Sequence, residues 1–318
     1  MQSDVPARVV FMGTPEFAVP GLRALIETQQ VVGVVTQPDR PAGRGNRLRP
    51  SPVKVAAEMA GIPVYQPKSL RRDEAVETIG VWQPDIIVVA AFGQILRPNV
   101  LALPPHGCLN VHASLLPRWR GASPIQHAIL AGDACSGISL MQMDEGLDTG
   151  PVYVQEAIDI GPRDTAATLH DVLASLGADM LRRFLGDILA GRLLPVPQDD
   201  SASTYAPMIR KESGEIEWSR SSLELDRFVR AMNPWPGAYT WWQNDPLRIT
   251  RAHPAAFDRE ERTPGEVLRA PGGIIIWTAD GGLRVEEVLV PGKRAMPAAD
   301  FANGHPEWVG SVMGRRTN

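Results

Sequence analysis

The chain has few cysteines and no long apolar run. Only Cys108 and Cys135 occur among its 318 residues, and their separation fits neither a disulfide framework nor a metal-binding pair. No apolar stretch approaches the roughly 18 residues of a membrane-spanning helix, and the N-terminus lacks a basic segment followed by an apolar one. We therefore expect a cytoplasmic protein without membrane segments.

The usual signatures of nucleotide and metal sites are also missing. The first predicted turn, Gly13-Thr-Pro-Glu-Phe-Ala18, has one glycine where a dinucleotide-binding turn needs three for the approach of a pyrophosphate. The sequence contains no Gly-x-x-x-x-Gly-Lys-Ser/Thr phosphate loop, and its 6 histidines form no helical metal-binding pair. We therefore expect metal-free chemistry without a nicotinamide cofactor.

Composition and periodicity predict two domains. With 44% hydrophobic and 21% charged residues, the chain can bury a substantial core and is long enough to divide. Nearly continuous apolar runs, such as residues 86–91, alternate with helical patterns and are typical of strands covered on both faces. The predicted fold class is therefore α/β, a Rossmann-like, mostly parallel sheet flanked by helices. The predicted strands are residues 8–13, 31–36, 62–66, 85–91, 107–113 and 138–144. The predicted helices are one that opens at Thr14-Pro15 and those at residues 51–60, 73–81 and 165–190.

The remaining third of the chain has a different pattern. Residues 193–207 combine prolines with small polar residues, which predicts a linker. Residues 208–318 contain one helical stretch followed by alternating segments, which are typical of a small antiparallel barrel. We therefore assign residues 1–192 to the α/β domain and residues 208–318 to a smaller, OB-like β-barrel domain.

A candidate reaction site lies on one predicted strand and one loop. Asn110 and His112 are two residues apart, so in a strand their side chains point to the same face. Asp148 follows in the glycine-bracketed segment Asp144-Glu-Gly-Leu-Asp-Thr-Gly150 and can orient or deprotonate the imidazole. An amide, an imidazole and a carboxylate together suit acyl transfer without a metal.

One basic segment stands out against a net charge of −4. Between residues 37 and 50 lie four arginines and a single aspartate, interrupted by glycine and proline; the arginines are Arg40, Arg44, Arg47 and Arg49. The negative net charge excludes a surface coated with positive charge, so any nucleic-acid contact is expected to be local. Taken alone, the segment is typical of a solvated surface loop.

These residues resemble the folate-dependent formyltransferases. The segment Asn110-Val-His-Ala-Ser-Leu-Leu-Pro117 by itself indicates formyl transfer. The resemblance covers nearly the whole chain and includes Phe11-Met-Gly-Thr-Pro-Glu-Phe17, Thr36-Gln-Pro-Asp-Arg-Pro-Ala-Gly-Arg-Gly45, Ser51-Pro-Val-Lys54 and Asn233-Pro-Trp-Pro236. The arginine segment and the second domain resemble those members of the family that act on methionyl-tRNA.

The resemblance implies that 10-formyltetrahydrofolate donates its formyl group to the α-amino group of methionine on initiator methionyl-tRNA. Attack by the amine creates an anionic oxygen on a tetrahedral carbon, which Asn110 and His112 would stabilise as donors. Asp148 would position His112 and help to remove the amine proton, and His112 is an equal candidate for the general base. We expect no metal, no membrane partner and a monomeric protein.

The resemblance also implies where the folate binds. Its pterin is expected between the loop after residue 91, the turn after His112 and the segment before Asp148. The predicted contacts are Phe92, Gly93, Ile95, Leu96, Ser114, Leu115, Leu116, Pro117, Gln142 and Asp144. Ile95 and Leu96 are equally suited to core packing, and Asp144 is equally suited to holding its own loop.

For the tRNA, the resemblance implies that the basic segment contacts the acceptor stem. Arg44 is the leading candidate, with Arg40, Arg47 and Arg49 beside it, because arginine binds phosphate by charge and by several hydrogen bonds. Arg248 and Arg251 in the second domain are further candidates for contacts to the tRNA backbone; each also suits a solvated barrel surface.

Three alternatives remain open from the sequence. A purine-pathway formyltransferase would use the same trio on a small amine, but the basic segment and second domain would then have no role. A formyltetrahydrofolate hydrolase would let water attack instead. An RNA-binding module would need the basic segment and barrel but no folate, so an assay with different formyl acceptors separates these readings.

Overall fold

A computed structural model of the protein describes residues 6–42, 47–255 and 262–314. The chain divides into two compact units. The first unit comprises Met1–Pro124, Cys135–Ile158 and His170–Ala206, and the second comprises Ile125–Ala134, Asp159–Leu169 and Pro207–Asn318. No helix within the described ranges is both long and apolar enough to cross a membrane.

Strands and helices occur in both units. The strands are β1 (Arg8–Gly13), β2 (Gln30–Val35), β3 (Arg40–Ala42), β4 (Arg47–Arg49), β5 (Val64–Tyr65), β6 (Ile86–Ala90), β7 (Cys108–His112), β8 (Arg120–Gly121), β9 (Cys135–Gln142), β10 (Val152–Asp159), β11 (Tyr205–Ala206), β12 (Ala238–Trp242), β13 (Asp245–Ala255), β14 (Val267–Ala270), β15 (Gly273–Trp277), β16 (Gly282–Leu289) and β17 (Met296–Pro297). The helices are α1 (Val19–Thr28), α2 (Pro52–Met59), α3 (Asp73–Gly80), α4 (Pro98–Leu101), α5 (Pro124–Ala131), α6 (Ala166–Leu189), α7 (Ser222–Ala231) and α8 (Ala298–Gly304).

The first unit is built on a mixed sheet in the strand order β10-β9-β7-β6-β1-β2-β5. The neighbours from β7 to β5 run parallel, whereas β9 runs antiparallel to β7. β6 has the sequence IIVVA, and every residue in it is buried, as expected for a strand covered on both faces. The predicted α/β fold with a mostly parallel sheet is therefore confirmed.

The strand order brings the carboxyl ends of β1 and β6 together at one crevice. From β1 the chain continues to β2 and β5 on one side, and β6 and β7 lie on the other side. In such sheets, ligands bind outside the carboxyl ends of the strands where the order reverses. Gly13 ends β1 beside Ala90, and a Cβ atom on Gly13 would lie 2.7 Å from that of Ala18. Glycine, which has no Cβ atom, therefore lets the end of β1 pack this closely against Ala18.

The segment predicted as a linker lies along the first unit over much of its length. Val196 forms a bridge to Val152, and β11 pairs in parallel with β8. Thr204 adds hydrogen bonds, since its Oγ1 accepts from Trp119 N at 2.8 Å and its carbonyl accepts from Arg120 N at 2.9 Å. The first unit therefore extends to Ala206, and the second unit resumes at the next residue.

The second unit contains an antiparallel sheet in the order β12-β13-β16-β15-β14, with β17 paired to β16. α7 packs against β13, and α8 packs against β16. The core of this unit is apolar and includes the buried side chains of Leu225, Ile276, Phe301 and Trp308. The prediction of a separate, mainly β second domain is therefore confirmed.

Candidate active site

Strand β7 carries Asn110 and His112 on one face, at the carboxyl edge of the sheet. The two residues are 9% and 6% exposed. β7 lies between β6 and β9, and its register places Asn110 between Val89 and Met141, which are both apolar and buried. The amide and the imidazole thus lie in surroundings where charge interactions are stronger than in water.

Asp148 joins these two side chains from the loop between β9 and β10. Its Oδ1 accepts a hydrogen bond from Asn110 Nδ2 at 3.4 Å, and its Oδ2 accepts one from Gly121 N at 2.8 Å. His112 Nδ1 lies 3.7 Å from the same Oδ2. The structure therefore brings together the three residues that the sequence suggested as a catalytic trio.

The two ring nitrogens of His112 have different neighbours. Nε2 lies 3.0 Å from the carbonyl oxygen of Trp119, which can only accept a hydrogen bond, so Nε2 carries a proton in this arrangement. Nδ1 faces the carboxylate of Asp148. A proton taken up at Nδ1 would therefore be stabilised by the adjacent negative charge.

The loop that carries Asp148 is fixed through its backbone as well as its carboxylate. Asp148 has a φ of 53°, in a region that residues other than glycine rarely occupy. Gln198 Nε2 donates to the carbonyl oxygens of Asp148 and Gly150, at 2.8 and 2.7 Å. One side-chain amide thus holds the carbonyl of the residue with this unusual conformation and a carbonyl two residues later.

Gln198 is itself held by Arg120. Its Oε1 accepts from the Nε and Nη2 atoms of Arg120 at 3.1 and 2.9 Å, and Nη2 also pairs with Asp200 at 2.7 Å. Sequence reasoning missed Gln198, because it lies among prolines and small polar residues without a periodic pattern. Arg120 lies only eight residues after His112, and this proximity in the sequence was the one available sign that Arg120 belongs to the site.

The turn at residues 114–117 is anchored by β9 and β10. Ser139 Oγ donates to Ser114 O at 2.6 Å and accepts from Leu116 N at 3.1 Å. Gln155 Nε2 donates to Leu116 O at 2.9 Å and to Ser139 Oγ at 2.7 Å. These bonds fix the chain directly after His112. No sequence pattern indicated the roles of Ser139 and Gln155.

The exposure of the predicted folate contacts in this turn varies. Ser114 and Leu116 are buried, whereas Leu115 and Pro117 are partly exposed. Ser114 Oγ donates to the carbonyl of Arg118 at 2.7 Å, so its hydroxyl closes the turn. The surface that this turn can offer to a ligand is therefore chiefly apolar.

The loop after β6 contains both core and surface side chains. Phe92 and Leu96 are 2% and 4% exposed and belong to the hydrophobic core, whereas Ile95 is 73% exposed. The carbonyl of Phe92 accepts from Thr14 Oγ1 at 3.0 Å, which ties the loop to the chain after β1. Gly93 is exposed and has a φ of 83°. Ile95 and Gly93 are thus the surface positions among the predicted contacts here.

In the loop after β9, Asp144 holds its own chain segment. Its Oδ1 accepts from Gly146 N at 3.0 Å and from Thr149 Oγ1 at 2.7 Å. Gln142 ends β9, and its Oε1 accepts from the hydroxyl of Tyr153 at 3.3 Å. Burial raises the pKa of Tyr153, so this hydroxyl keeps its proton and remains a donor at neutral pH.

The basic segment is described only at its base. β3 and β4 pair in an antiparallel hairpin that places Arg40 opposite Arg49, and both residues are exposed. Arg44 lies outside the described residues, and so does the side chain of Arg47. The first and last of the four predicted arginines therefore lie beside each other.

An ion pair joins the base of this hairpin to α2. Asp39 accepts hydrogen bonds from Lys54 Nζ at 2.8 Å and from Gln66 Nε2 at 2.7 Å. The bond from Lys54, followed by that from Gln66, lowers the pKa of Asp39. The carboxylate therefore stays charged and keeps the start of the hairpin in place.

In the second unit, Arg248 and Arg251 lie exposed on β13. Arg251 Nε lies 3.7 Å from Glu286 Oε2. Arg248 forms no ion pair with any carboxylate in the part of the chain that the structure describes. The two predicted contacts of this domain thus differ in their electrostatic surroundings.

Neither cysteine takes part in the site. Cys108 begins β7 and is buried, which raises the pKa of its thiol to about 12, whereas Cys135 begins β9 and is exposed. Within residues 6–42, 47–255 and 262–314, no three His, Cys, Asp or Glu side chains form a group that could hold a metal ion.

Known relatives match the chain over both units. The sequence matches the formyl transferase family over residues 7–185 and the formyl transferase C-terminal domain over residues 208–306. The methionyl-tRNA formyltransferase of Geobacter sulfurreducens is 46% identical over 309 residues, which cover 96% of each chain. That of Magnetococcus marinus is 47% identical and covers 96% of this chain and 98% of its own.

Solved structures share the fold at lower sequence identity. HypX from Aquifex aeolicus in complex with tetrahydrofolic acid superposes with a TM-score of 0.62 at 18% identity, covering 95% of this chain and 48% of that one. The sugar 3N-formyl transferase WlaRD, crystallised with dTDP and 5-N-formyl-THF, gives a TM-score of 0.64 at 19% identity, covering 91% and 99%. Together with the full-length sequence matches, these observations show that the chain belongs to the formyl transferase family.

Proposed function

We propose that the protein transfers the formyl group of 10-formyltetrahydrofolate to the α-amino group of methionine on initiator methionyl-tRNA. The observation that carries the proposal is the 46–47% identity to methionyl-tRNA formyltransferases over 96% of the chain. That similarity extends over both units of the chain. The product, N-formylmethionyl-tRNA, serves the initiation of translation.

The arrangement of the trio suits formyl transfer to an amine. The amine nitrogen forms a bond to the formyl carbon, and the π electrons of the carbonyl move to its oxygen. The oxyanion needs preorganised donors, and the Asn110 amide has a second N–H available when its first binds Asp148. The bond between the formyl carbon and the folate nitrogen then breaks, and that nitrogen leaves with a proton.

His112 and Asp148 handle the proton that the attacking amine loses. An imidazolium at His112 is stabilised by the carboxylate beside Nδ1. Asp148 can accept the proton itself or stabilise His112 after the transfer. Because the leaving folate nitrogen needs a proton, the same pair can return it, so no external acid is required.

The folate is proposed to bind beyond the carboxyl ends of β1, β6 and β7. Ile95 and Leu147, which are 73% and 52% exposed, offer apolar surface to the flat pterin. Phe92 and Leu96 support that surface from the core, and backbone groups of the loops read the edge of the ring. The complex of HypX with tetrahydrofolic acid supports a folate site on this fold.

The arginine hairpin is proposed to contact the acceptor stem of the tRNA. Arg40 and Arg49, exposed on neighbouring strands, can bind phosphates from the base of the hairpin. Arg44 is proposed as the leading contact. The ion pair between Asp39 and Lys54 holds the hairpin base against the first unit.

An assay with three acceptor conditions tests the proposal. The protein is incubated with 10-formyltetrahydrofolate and either methionyl-tRNA, glycinamide ribonucleotide or no acceptor. We expect formylation of methionyl-tRNA only, and we expect His112→Ala to slow it by about a hundredfold or more because a proton carrier is lost. Formylation of the nucleotide alone, or release of formate without an acceptor, would contradict the proposal.

A further inference from the structure

The second unit contains a cavity of about 550 Å³ whose lining combines aromatic and basic side chains. We propose that this cavity binds one unpaired nucleotide of the tRNA, with its base against Tyr239 and Trp241 and its phosphate near Arg248 and two lysines. The inference rests on the proposed function for the identity of the RNA. It assigns a recognition site separate from the residues of the formyl-transfer chemistry.

The sheet register places the aromatic and basic side chains on one face. Tyr239 and Trp241 are two residues apart on β12, so they share a face, whereas Ala238 and Thr240 point to the core and are buried. On β13, Arg248 lies directly opposite Tyr239. Cross-strand neighbours of this kind lie within contact distance, so a ligand on this face meets ring and guanidinium together.

The two aromatic rings are held in a fixed arrangement. They pack edge to face, with 5.9 Å between the ring centroids of Tyr239 and Trp241. Glu215 Oε1 accepts from Trp241 Nε1 at 2.9 Å, and Glu215 Oε2 accepts from the hydroxyl of Tyr239 at 3.5 Å. Rigid aromatic side chains present a stacking surface at little entropic cost, and stacking is how proteins commonly bind unpaired bases.

The side chain of Arg248 packs over a glycine but forms no ion pair that would neutralise its charge within the described part of the chain. A Cβ atom on Gly237 would lie 3.2 Å from the Cδ and Nε atoms of Arg248, so the arginine stem lies close over this glycine. No carboxylate among the described residues forms an ion pair with Arg248. Its guanidinium therefore keeps all its donors for a ligand, and guanidinium binds phosphate with several hydrogen bonds at once.

The remaining charges around the cavity are mainly positive. Lys211 and Lys293 line it, are exposed and have no ion pair within the described part of the chain. Among the described residues that line the cavity, Glu212 is the single acidic side chain. Three lining cations stand against Glu212 and the neighbouring Glu215, which binds both rings, and leave a small local excess of positive charge on a chain whose net charge is −4. Aromatic faces surrounded by cations fit a nucleotide, which offers a flat base and an anionic phosphate.

A salt series of tRNA-binding measurements on the full-length protein tests the assignment. Arg248→Ala is expected to raise the Kd for methionyl-tRNA and to reduce the slope of log K against log salt by about one, as loss of one phosphate contact does. Trp241→Leu is expected to raise Kd by about tenfold without changing the slope, because stacking carries no counterion release. Trp241→Phe, which keeps an aromatic face, should restore part of the affinity.

Matched variants separate recognition from folding and chemistry. Arg269→Ala removes an exposed arginine of the same unit that does not line the cavity and binds Asn303, so it should leave Kd and slope unchanged. Lys293→Glu alters an exposed turn and remains informative if the variant of Trp241 does not fold. At saturating methionyl-tRNA, the control variant Arg269→Ala should also keep the wild-type kcat.

Two results have distinct meanings. If Arg248→Ala and Lys293→Glu both keep the wild-type Kd and salt slope while the wild type formylates methionyl-tRNA, the cavity assignment is wrong and the proposed function stands. If the wild type binds methionyl-tRNA without formylating it, the proposed function is wrong, and the Kd values of the variants still decide whether the cavity binds RNA.

Discussion

The candidate active site of the first unit and the cavity of the second unit use polar side chains in opposite ways. At the active site the carboxylate of Asp148 accepts bonds from Asn110 and Gly121, and its backbone is held by Gln198. In the cavity, the guanidinium of Arg248 has no carboxylate partner among the residues that the structure describes. The polar groups around Asp148 thus form hydrogen bonds with one another, whereas the guanidinium of Arg248 keeps its donors available for a ligand.

This difference matches the work proposed for each site. Formyl transfer needs donors and a proton acceptor already aimed at the developing charge, because reorganisation during the reaction raises the barrier. Recognition of a polyanion gains from donors that are free to bind phosphate and to release counterions. Substitutions at the active site should therefore lower kcat, whereas substitutions in the cavity should weaken the binding of methionyl-tRNA.

The largest effect is expected from Asp148→Asn. This change keeps the shape of the side chain but removes the charge beside His112 Nδ1, so the pair proposed to accept the amine proton loses its negative charge. We expect kcat to fall by about a hundredfold to ten-thousandfold with little change in the Kd for methionyl-tRNA. Asp171→Asn, at an exposed position on α6, is the matched control. A normal kcat for Asp148→Asn would remove this carboxylate from the chemistry.

The next largest loss of activity is expected at Gln198. In the loop that carries Asp148, its side chain contacts backbone carbonyls and no side chain. Gln198→Ala releases two carbonyls, and we expect kcat to fall by about tenfold to a hundredfold through misplacement of the carboxylate. Gln198→Glu keeps an acceptor for Arg120 but turns lone pairs toward both carbonyls, so its kcat should be lower still. A purely structural role would instead lower the thermal midpoint of both variants and leave kcat unchanged.

The sequence predicted those parts of the site and fold that depend on local pattern. The apolar run of β6 and the spacing of Asn110 and His112 are both local signals, and their consequences appear in the structure. The antiparallel direction of β9 was not evident, because direction depends on the pairing partner. β10 was missed because none of its residues is fully buried, so it lacks the continuous apolar run that marked the other strands.

Gln198 shows why the rest of the site could not be predicted. It reaches Asp148 across 50 residues of sequence, and each bond ends on a backbone carbonyl, which any residue type supplies. Neither the residues around Gln198 nor those around Asp148 therefore show a sequence pattern that indicates this contact. The segment around it was predicted as a linker because prolines and small polar residues prevent helices and strands, yet they allow an ordered extended chain.

A smaller effect is expected where the arginine hairpin meets α2. Lys54→Met removes the ion pair and hydrogen bond to Asp39 while keeping the apolar stem. The pair is partly exposed, so its loss should raise the KM for methionyl-tRNA by no more than about fivefold, with kcat unchanged. Lys68→Met, at another exposed position of the first unit, is the control. An unchanged KM would show that the base of the hairpin needs no anchor from α2.

The smallest effect on activity is expected from the helix cap of the second unit. Ser221 and Glu224 form a capping box at the start of α7, which packs against β13. Bonds from the backbone and hydroxyl of Ser221, followed by Arg220, lower the pKa of Glu224 from 4.5 to about 2. Because the folded-state pKa is the lower one, this stabilisation is present above pH 4.5 and is lost as the pH falls toward 2.

Glu224→Gln should therefore reduce the free energy of unfolding by about 0.5–1 kcal/mol at pH 7, since the carboxylate is partly exposed. The difference from the wild type should shrink toward zero between pH 4.5 and pH 2. Denaturant unfolding followed by tryptophan fluorescence measures it, because most of the 8 tryptophans lie in the second unit. If the difference is instead constant with pH, the stabilisation does not come from the charge of Glu224. If kcat falls together with stability, the second unit contributes more than RNA recognition, and the contrast between the two sites is weaker than proposed.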